Sequence, residues 1–147
     1  MIGLLQRVTE AEVRIAGASV ATISAGLLVL IGVERDDTEA AAERLLERIV
    51  TYRVFSDDSG RMNLDLVERR GGLLLVPQFT LAAETSKGRR PGFSSAASPE
   101  QGKVLFEHLV TSARQRLGAV ETGVFGANMQ VRLTNDGPVT FWLQVHH

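Results

Sequence analysis

The sequence predicts an α+β fold, one β-rich domain over residues 1–147 that carries two helices. Three observations lead there. First, period-two alternation brackets Asn135-Asp136-Gly137-Pro138. Met129, Val131 and Leu133 alternate with Gln130, Arg132 and Thr134 before it, and Val139, Phe141, Leu143 and Val145 with Thr140, Trp142 and Gln144 after it. Second, Leu27 to Val33 is continuously apolar, which suits a strand buried on both faces. Third, two segments place apolar residues at helical spacing: Ala42, Leu45, Leu46, Ile49 and Val50, then Leu105, Phe106, Leu109, Ala113 and Leu117. With 147 residues, 44% hydrophobic and 22% charged, the chain can bury a core of its own.

Residues 2–15 read as a half-buried strand with Val8, Val13 and Ile15 among its apolar positions. Arg7 interrupts it with few local charges to pair with, and reads on composition as solvent-facing. Gly17 allows a turn into 19–23, and Leu27–Val33 follows. Asp36 or Thr38 then caps a helix, with Glu39 completing a capping box to Asp36; this helix covers the sheet and carries no chemistry. Ser56-Asp57-Asp58-Ser59-Gly60 is a turn cluster that lacks the ligand alternation and distal Glu of a calcium loop, so no metal is expected there.

Leu73–Val76 forms the next strand and runs into Pro77-Gln78-Phe79-Thr80-Leu81, where Pro77 ends regular pairing. A strand end opening into a polar loop is a common place for a site, and Thr80 is the hydroxyl there that could face a substrate. On residue type alone a strand threonine is more often a β-former than a catalyst. Lys87, Arg89 and Arg90 form the one basic cluster on a glycine-containing loop beside Phe93, a combination suited to phosphates and a stacked base, or simply to solvent. Ser98-Pro99-Glu100-Gln101 starts the second helix and Gly118 ends it; His108 reads as an exposed residue on that helix. Val120 to Asn128 reads as a loop. Asn135-Asp136-Gly137-Pro138 is expected to reverse the chain between two strands. Pro138 supplies no ladder N–H, and Gly137 lets backbone approach a ligand closely. The same pattern fits a plain hairpin turn.

Composition excludes several chemistries. A formal charge of −1 argues against a broad nucleic-acid surface, so no DNA partner is expected and any RNA contact is local. The absence of cysteine removes disulfides, thiolate nucleophiles and Cys-bound zinc. No Gly-x-Ser-x-Gly elbow, His-Glu-x-x-His or Walker loop is present, and two of the three histidines are the adjacent His146-His147. A Ser-His-Asp triad is not expected. A hydrolase built from these residues would lean on backbone amides and an activated substrate such as an ester. The opening residues lack a basic segment followed by an apolar one, and no apolar run reaches membrane length, so a cytoplasmic protein with no membrane contact is expected.

Pro77-Gln78-Phe79-Thr80-Leu81 and Asn135-Asp136-Gly137-Pro138-Val139-Thr140 resemble the two signature motifs of D-aminoacyl-tRNA deacylases. Gln6-Arg7-Val8, Gly26-Leu27-Leu28-Val29, Gly60-Arg61-Met62-Asn63, Arg90-Pro91-Gly92-Phe93 and Phe141-Trp142-Leu143-Gln144-Val145 follow the family in order and spacing, so the resemblance covers essentially the whole chain. It implies a compact, barrel-like, β-rich domain with two covering helices, working as a homodimer with active sites at the subunit interface. The implied reaction is hydrolysis of the ester between a D-amino acid and the 3′-terminal adenosine of tRNA, extending to glycyl-tRNA, with no metal or organic cofactor.

Residue by residue, the resemblance casts Gly137-Pro138 as the family's Gly-cisPro dipeptide, which enters the other subunit's site and rejects L-residues with backbone alone; Arg7 steadies it. Gln78, Phe79 and Thr80 match the catalytic floor, where the Phe79 and Thr80 N–H groups would polarise the ester carbonyl, an effect worth about 10²–10³ in rate per donor. Gly123, Phe125 and Met129 fall at the implied adenine pocket, and Lys87, Arg89 and Arg90 at the tRNA contact. Two departures stand out: Pro77 replaces the family's usual Ser, removing a hydroxyl and an N–H, and Gly92 replaces another Ser. Pro77 keeps open a binding module that holds the tRNA end without turnover. A small-ester esterase, indifferent to the basic loop, is the other alternative.

Overall fold

A computed structural model describes residues 1–146, and His147 lies outside the described residues. The sheet is assembled on strand β1 (Ile2–Ile15). Ala16 and Gly17, with φ of 49° and 81°, make the two-residue turn that sends the chain back alongside it. The return strand comes in two pieces, β2 (Ala18–Ile23) and β3 (Gly26–Gly32), interrupted at Ser24-Ala25 without loss of register: Ala11 faces Ile23 and Val8 faces Gly26. Helix α1 (Glu39–Thr51), the short strands β4 (Phe55–Ser56) and β5 (Met62–Leu64) and the one-turn helix α2 (Leu66–Arg69) lead to β6 (Gly72–Pro77). Strand β6 runs parallel to β3, from Gly26 opposite Gly72 to Ile31 opposite Pro77. A 3₁₀ turn (Phe79–Ala82), helix α3 (Pro99–Leu117), β7 (Glu121–Thr122) and the long β8 (Gln130–Gln144) complete the chain. Strand β7 pairs with β6 and lies near β2, so the sheet curls into a nearly closed barrel.

The apolar run in β3 is buried on both faces, as its composition requires. Leu27, Val29 and Ile31, with Leu73 and Leu75 of β6, pack against Leu45 and Ile49 of α1 and Leu109 of α3. Leu28, Leu74 and Val76 point the other way, onto Val8, Val13 and Ala21 inside the barrel. Strand β1 serves both clusters because its pairing to β8 is irregular at two places, one of them on β1 itself. Val8 faces Asn135 and Glu10 faces Thr134, leaving Thr9 as an extra residue. Leu5 therefore lies under the helices, while Ala11 and Val13 line the interior.

Helix ends follow local chemistry. Thr38 caps α1 through its hydroxyl, which accepts from the Ala41 N–H (3.2 Å). The expected Asp36 box does not form. Ser98 caps α3 by accepting from the Gln101 N–H (3.2 Å), and the Gln101 amide reaches across to donate to the Arg35 and Asp37 carbonyls (3.0 and 3.2 Å). His108 is less free than its position on α3 suggests. It lies 3.1 Å from Glu43 and 3.9 Å from Glu39, tying α3 to α1.

The expected reversal at 135–138 is overturned. Both halves of β8 pair with β1 in the same antiparallel sense, from Arg14 opposite Gln130 to Val8 opposite Asn135, then from Gln6 opposite Thr140 to Ile2 opposite Gln144. Asp136, Gly137, Pro138 and Val139 are thus a four-residue bulge facing Arg7 alone. Alternation on either side of a break is the same whether the chain turns back or continues. The 14 residues of β1 are long enough to pair both halves. Side chains take over the hydrogen bonds that a hairpin would make: Asn135 Oδ1 accepts from the Val139 N–H (3.1 Å), and Asn135 Nδ2 donates to Thr140 Oγ1 (2.8 Å).

Candidate active site

Two features built by this fold can do chemistry, and one chain holds them apart. The first is the end of β6. Pro77 takes the last ladder position opposite Ile31, and the Gln78 N–H donates to the Ile31 carbonyl (2.7 Å) before the chain turns into the 3₁₀ segment. Within that segment the Leu81 N–H donates to the Gln78 carbonyl (3.2 Å) and the Ala83 N–H to the Thr80 carbonyl (3.2 Å). The Phe79 and Thr80 N–H groups occupy its first turn and have no backbone acceptor among the described residues. They are a pair of adjacent donors at an exposed strand end, able to receive a developing oxyanion.

Beside them opens a pocket of about 440 Å³. Gln78, Phe79, Pro77, Phe125 and Met129 are among the residues that line it. Phe125 is backed by Phe106 at 6.5 Å between ring centroids. Met129 is fixed by the Val124 N–H, which donates to its sulfur (3.3 Å). Gly123 does not line the pocket. It lies against Met129, where a Cβ would come within 2.8 Å of the Met129 sulfur and 3.3 Å of Pro77 Cδ, so the bare backbone is what lets Met129 pack there.

Thr80 faces a different depression, shared with Glu34, Glu84 and Trp142. Its hydroxyl accepts from the Gln78 amide. Neither carboxylate is suited to act as a base for it. Burial opposes the charge on Glu34, but hydrogen bonds from the Met1 ammonium (2.8 Å) and the Gln144 amide (2.9 Å) outweigh that and hold its carboxyl below the ordinary range. The Ser86 hydroxyl and N–H do the same for Glu84. Among the described residues the Thr80 hydroxyl has no activating partner.

The basic loop is anchored to this end of the sheet. Glu84 and Gly92 exchange both backbone hydrogen bonds (2.7 and 3.0 Å), closing the loop at its base, and Phe93 packs on Phe79 at 5.2 Å. Lys87, Arg89 and Arg90 are all exposed on it.

The second feature is the β8 bulge. Arg7 is not solvent-facing: its side chain is 14% exposed and is spent on the bulge. Its Nε donates to the Asp136 carbonyl (3.1 Å) and lies 3.4 Å from the Asp136 carboxylate, while Nη1 donates to the Val54 carbonyl (2.7 Å) at the base of α1. The guanidinium fork thus pins the bulge to the helical layer. Gly137 sits at φ 129°, and the Gly137-Pro138 peptide is cis. Both residues are exposed.

Arg7 lies four residues along β1 from Gly3, which faces Ile31 and through it Pro77. That is about 13 Å along the strands, with β8 on the far edge of β1 from β3 and β6. Neither the pocket beside Phe125 and Met129 nor the depression at Thr80 is lined by Gly137 or Pro138. The structure therefore brings Gln78, Phe79, Phe125 and Met129 together, holds Arg7 with Gly137-Pro138, and keeps the two groups apart within one chain. Sequence reasoning missed Ser98 and Asn128, which also line the pocket. Asn128 stands next to Met129, and that adjacency was the available signal.

Known proteins agree with this architecture. Residues 4–144 match the model of the D-Tyr-tRNA(Tyr) deacylase family. The chain is 61% identical over 145 residues to a D-aminoacyl-tRNA deacylase of Thioalkalivibrio sulfidiphilus, covering 99% of this chain and 97% of that protein. It is 59% identical to one of Paraburkholderia xenovorans, with 99% of each covered. Among solved structures, a "c-Myc DNA Unwinding Element Binding Protein" superposes with a TM-score of 0.95 at 35% identity over the full length of both chains. A probable eukaryotic D-amino acid tRNA deacylase shares the fold, with a TM-score of 0.86 at 18% identity over 98% of both. The chain belongs to the D-Tyr-tRNA(Tyr) deacylase family.

Proposed function

We propose that this chain hydrolyses the ester between a D-amino acid and the 3′-terminal adenosine of tRNA, at a site that two copies complete together. The observation that carries the proposal is the division of the site: an open pair of N–H donors beside a pocket lined by Phe125 and Met129 at one end of the sheet, and an exposed backbone bulge held by Arg7 at the other. A second copy whose Gly137-Pro138 reached the Phe79-Thr80 end of the first would close the site with backbone alone. The relatives at 57–61% identity, all named D-aminoacyl-tRNA deacylase, support the substrate class.

In this reading the adenosine enters the pocket between Phe125 and Met129, and the ester carbonyl meets the Phe79 and Thr80 N–H groups. Gly137-Pro138 of the second copy holds the α-amino group through its carbonyls and leaves no space for an L side chain at Cα. Water attacks the carbonyl carbon, the bond between that carbon and the ribose 3′-oxygen breaks, and the adenosine 2′-hydroxyl relays water's proton to the departing 3′-oxygen, releasing the free amino acid and tRNA. Substrate-assisted attack fits a site whose carboxylates are held by other groups. Glycine has no Cβ to reject, so glycyl-tRNA is hydrolysed too. Lys87, Arg89 and Arg90, on a loop packed against Phe79, meet the phosphates of the acceptor end. Pro77 lines the pocket with an apolar ring where the family's usual Ser would offer a donor, and it leaves the Phe79 and Thr80 N–H groups in place.

The test is deacylation of D-Tyr-tRNA, L-Tyr-tRNA and Gly-tRNA side by side. Loss of the D- and glycyl esters with the L-ester spared is expected. Equal loss of D- and L-esters would overturn the chiral reading. Binding of tRNA without any turnover would leave a binding module.

A further inference from the structure

We infer that Asn128 reads the base of the terminal nucleoside and makes the site selective for adenine. The inference rests on the reading of the pocket beside Phe125 and Met129 as the adenosine site. Three side chains lining that pocket carry hydrogen-bonding groups: Gln78, Ser98 and Asn128. The Gln78 amide is engaged with Thr80 Oγ1, and Ser98 Oγ holds the cap of α3 by accepting from the Gln101 N–H. The Asn128 amide makes no hydrogen bond among the described residues and is exposed at the rim. Its position is set by its neighbours. The Ala127 N–H closes a turn onto the Val124 carbonyl (3.2 Å), and Met129 is pinned by the Val124 N–H (3.3 Å).

Phe125 and Met129 offer apolar surface to the faces of a base but cannot tell one purine from another. A carboxamide can. Its oxygen accepts from an exocyclic amine while its NH₂ donates to the adjacent ring nitrogen, the paired pattern that adenine presents. Purine without the 6-amino group loses one of these bonds, and guanine, whose O6 and N7 are both acceptors on that edge, can pair with the NH₂ but leaves the Asn128 oxygen without a donor. A bidentate contact of this kind discriminates by about 5- to 150-fold.

The experiment compares D-Tyr-tRNA ending in adenosine with the same tRNA ending in purine riboside, for wild type and Asn128→Ala. Wild type is expected to lose about 5- to 150-fold in kcat/KM on the purine terminus, mostly through KM. Asn128→Ala is expected to lose at least that factor on adenosine and to use the two termini equally. Calorimetric titration of free adenosine and free purine riboside into both proteins reads the same preference without turnover. Equal wild-type use of the two termini, or an adenosine preference that survives in Asn128→Ala, overturns the role of Asn128 and leaves the deacylase reading intact. Failure on the natural terminus overturns that reading instead. The titration then still decides Asn128, since an adenosine preference abolished in the variant upholds base reading and equal binding refutes it. Asn128 is exposed, so the variant is expected to fold, and its melting temperature checks this.

Discussion

Replacing Gly137 with alanine perturbs the bulge at its least tolerant point. A Cβ there would lie 2.8 Å from Val139 Cγ2, 3.1 Å from Arg7 Nη2 and 3.2 Å from the Val139 nitrogen, on a residue whose φ is 129°. An L side chain at such a φ costs about 1–3 kcal/mol. For a chain of this size that is about 2–12 °C in melting temperature, so the protein stays folded at 25 °C. The bulge must either flatten toward a permitted φ or push the Arg7 fork off the Asp136 carbonyl, and both move the backbone by a substantial fraction of an ångström. A misplacement near 1 Å costs on the order of 100-fold in rate. Measured as kcat/KM for D-Tyr-tRNA beside a thermal melt, Gly137→Ala is expected to fall by about 100-fold while melting as a folded protein. Wild-type turnover in the variant would refute the claim that this backbone forms part of the site.

Other substitutions separate the remaining parts. Arg7→Lys keeps the charge but offers one nitrogen where the guanidinium spans Asp136 and Val54. It is expected to lower the melting temperature by several degrees and kcat/KM for the D-ester by at least about tenfold. Changing Lys87, Arg89 and Arg90 together to Gln should leave the melt unchanged and reduce the salt dependence of tRNA binding, by a slope of roughly one per cation in contact with phosphate. Glu34 has a carboxyl lowered from its ordinary 4.5, chiefly by the Met1 ammonium and Gln144 working against burial. Its stabilisation is present above that range and lost as pH falls through the lowered value. Glu34→Gln should therefore melt lower at neutral pH and lose less stability on acidification.

Much of the fold was legible because its signals are local. Both long helices, their caps at Thr38 and Ser98, and the doubly buried β3 follow from spacing and residue type. The helix α2 was equally readable, since Asp65 and Glu68 form a reciprocal capping box, yet four residues give no periodicity to draw attention. Asn135-Asp136-Gly137-Pro138 was misread as a reversal because alternation records which face a side chain takes and says nothing of the direction of the partner strand. Arg7 misled for a related reason. Its acceptors are the carbonyls of Val54 and Asp136, far along the sequence and invisible as charges. The site motifs were legible as patterns, whereas their separation across the sheet depends on register that no single stretch encodes.

The central claim is that each site takes its oxyanion donors from one copy and its bulge from another. Phe79→Pro removes one donor N–H at the first position of the 3₁₀ turn, where proline is tolerated, and Phe79→Ala removes the exposed ring while keeping the N–H. Phe79→Pro and Gly137→Ala, each expected to keep about 1% of wild-type activity or less alone, are denatured together, refolded as an equal mixture and assayed on D-Tyr-tRNA. Random pairing into two-fold dimers gives one site in about four with both parts intact, so recovery of about a quarter of wild-type activity is expected. A mixture that stays as inactive as its components, while Phe79→Ala works and the mixed dimers form, would contradict the account.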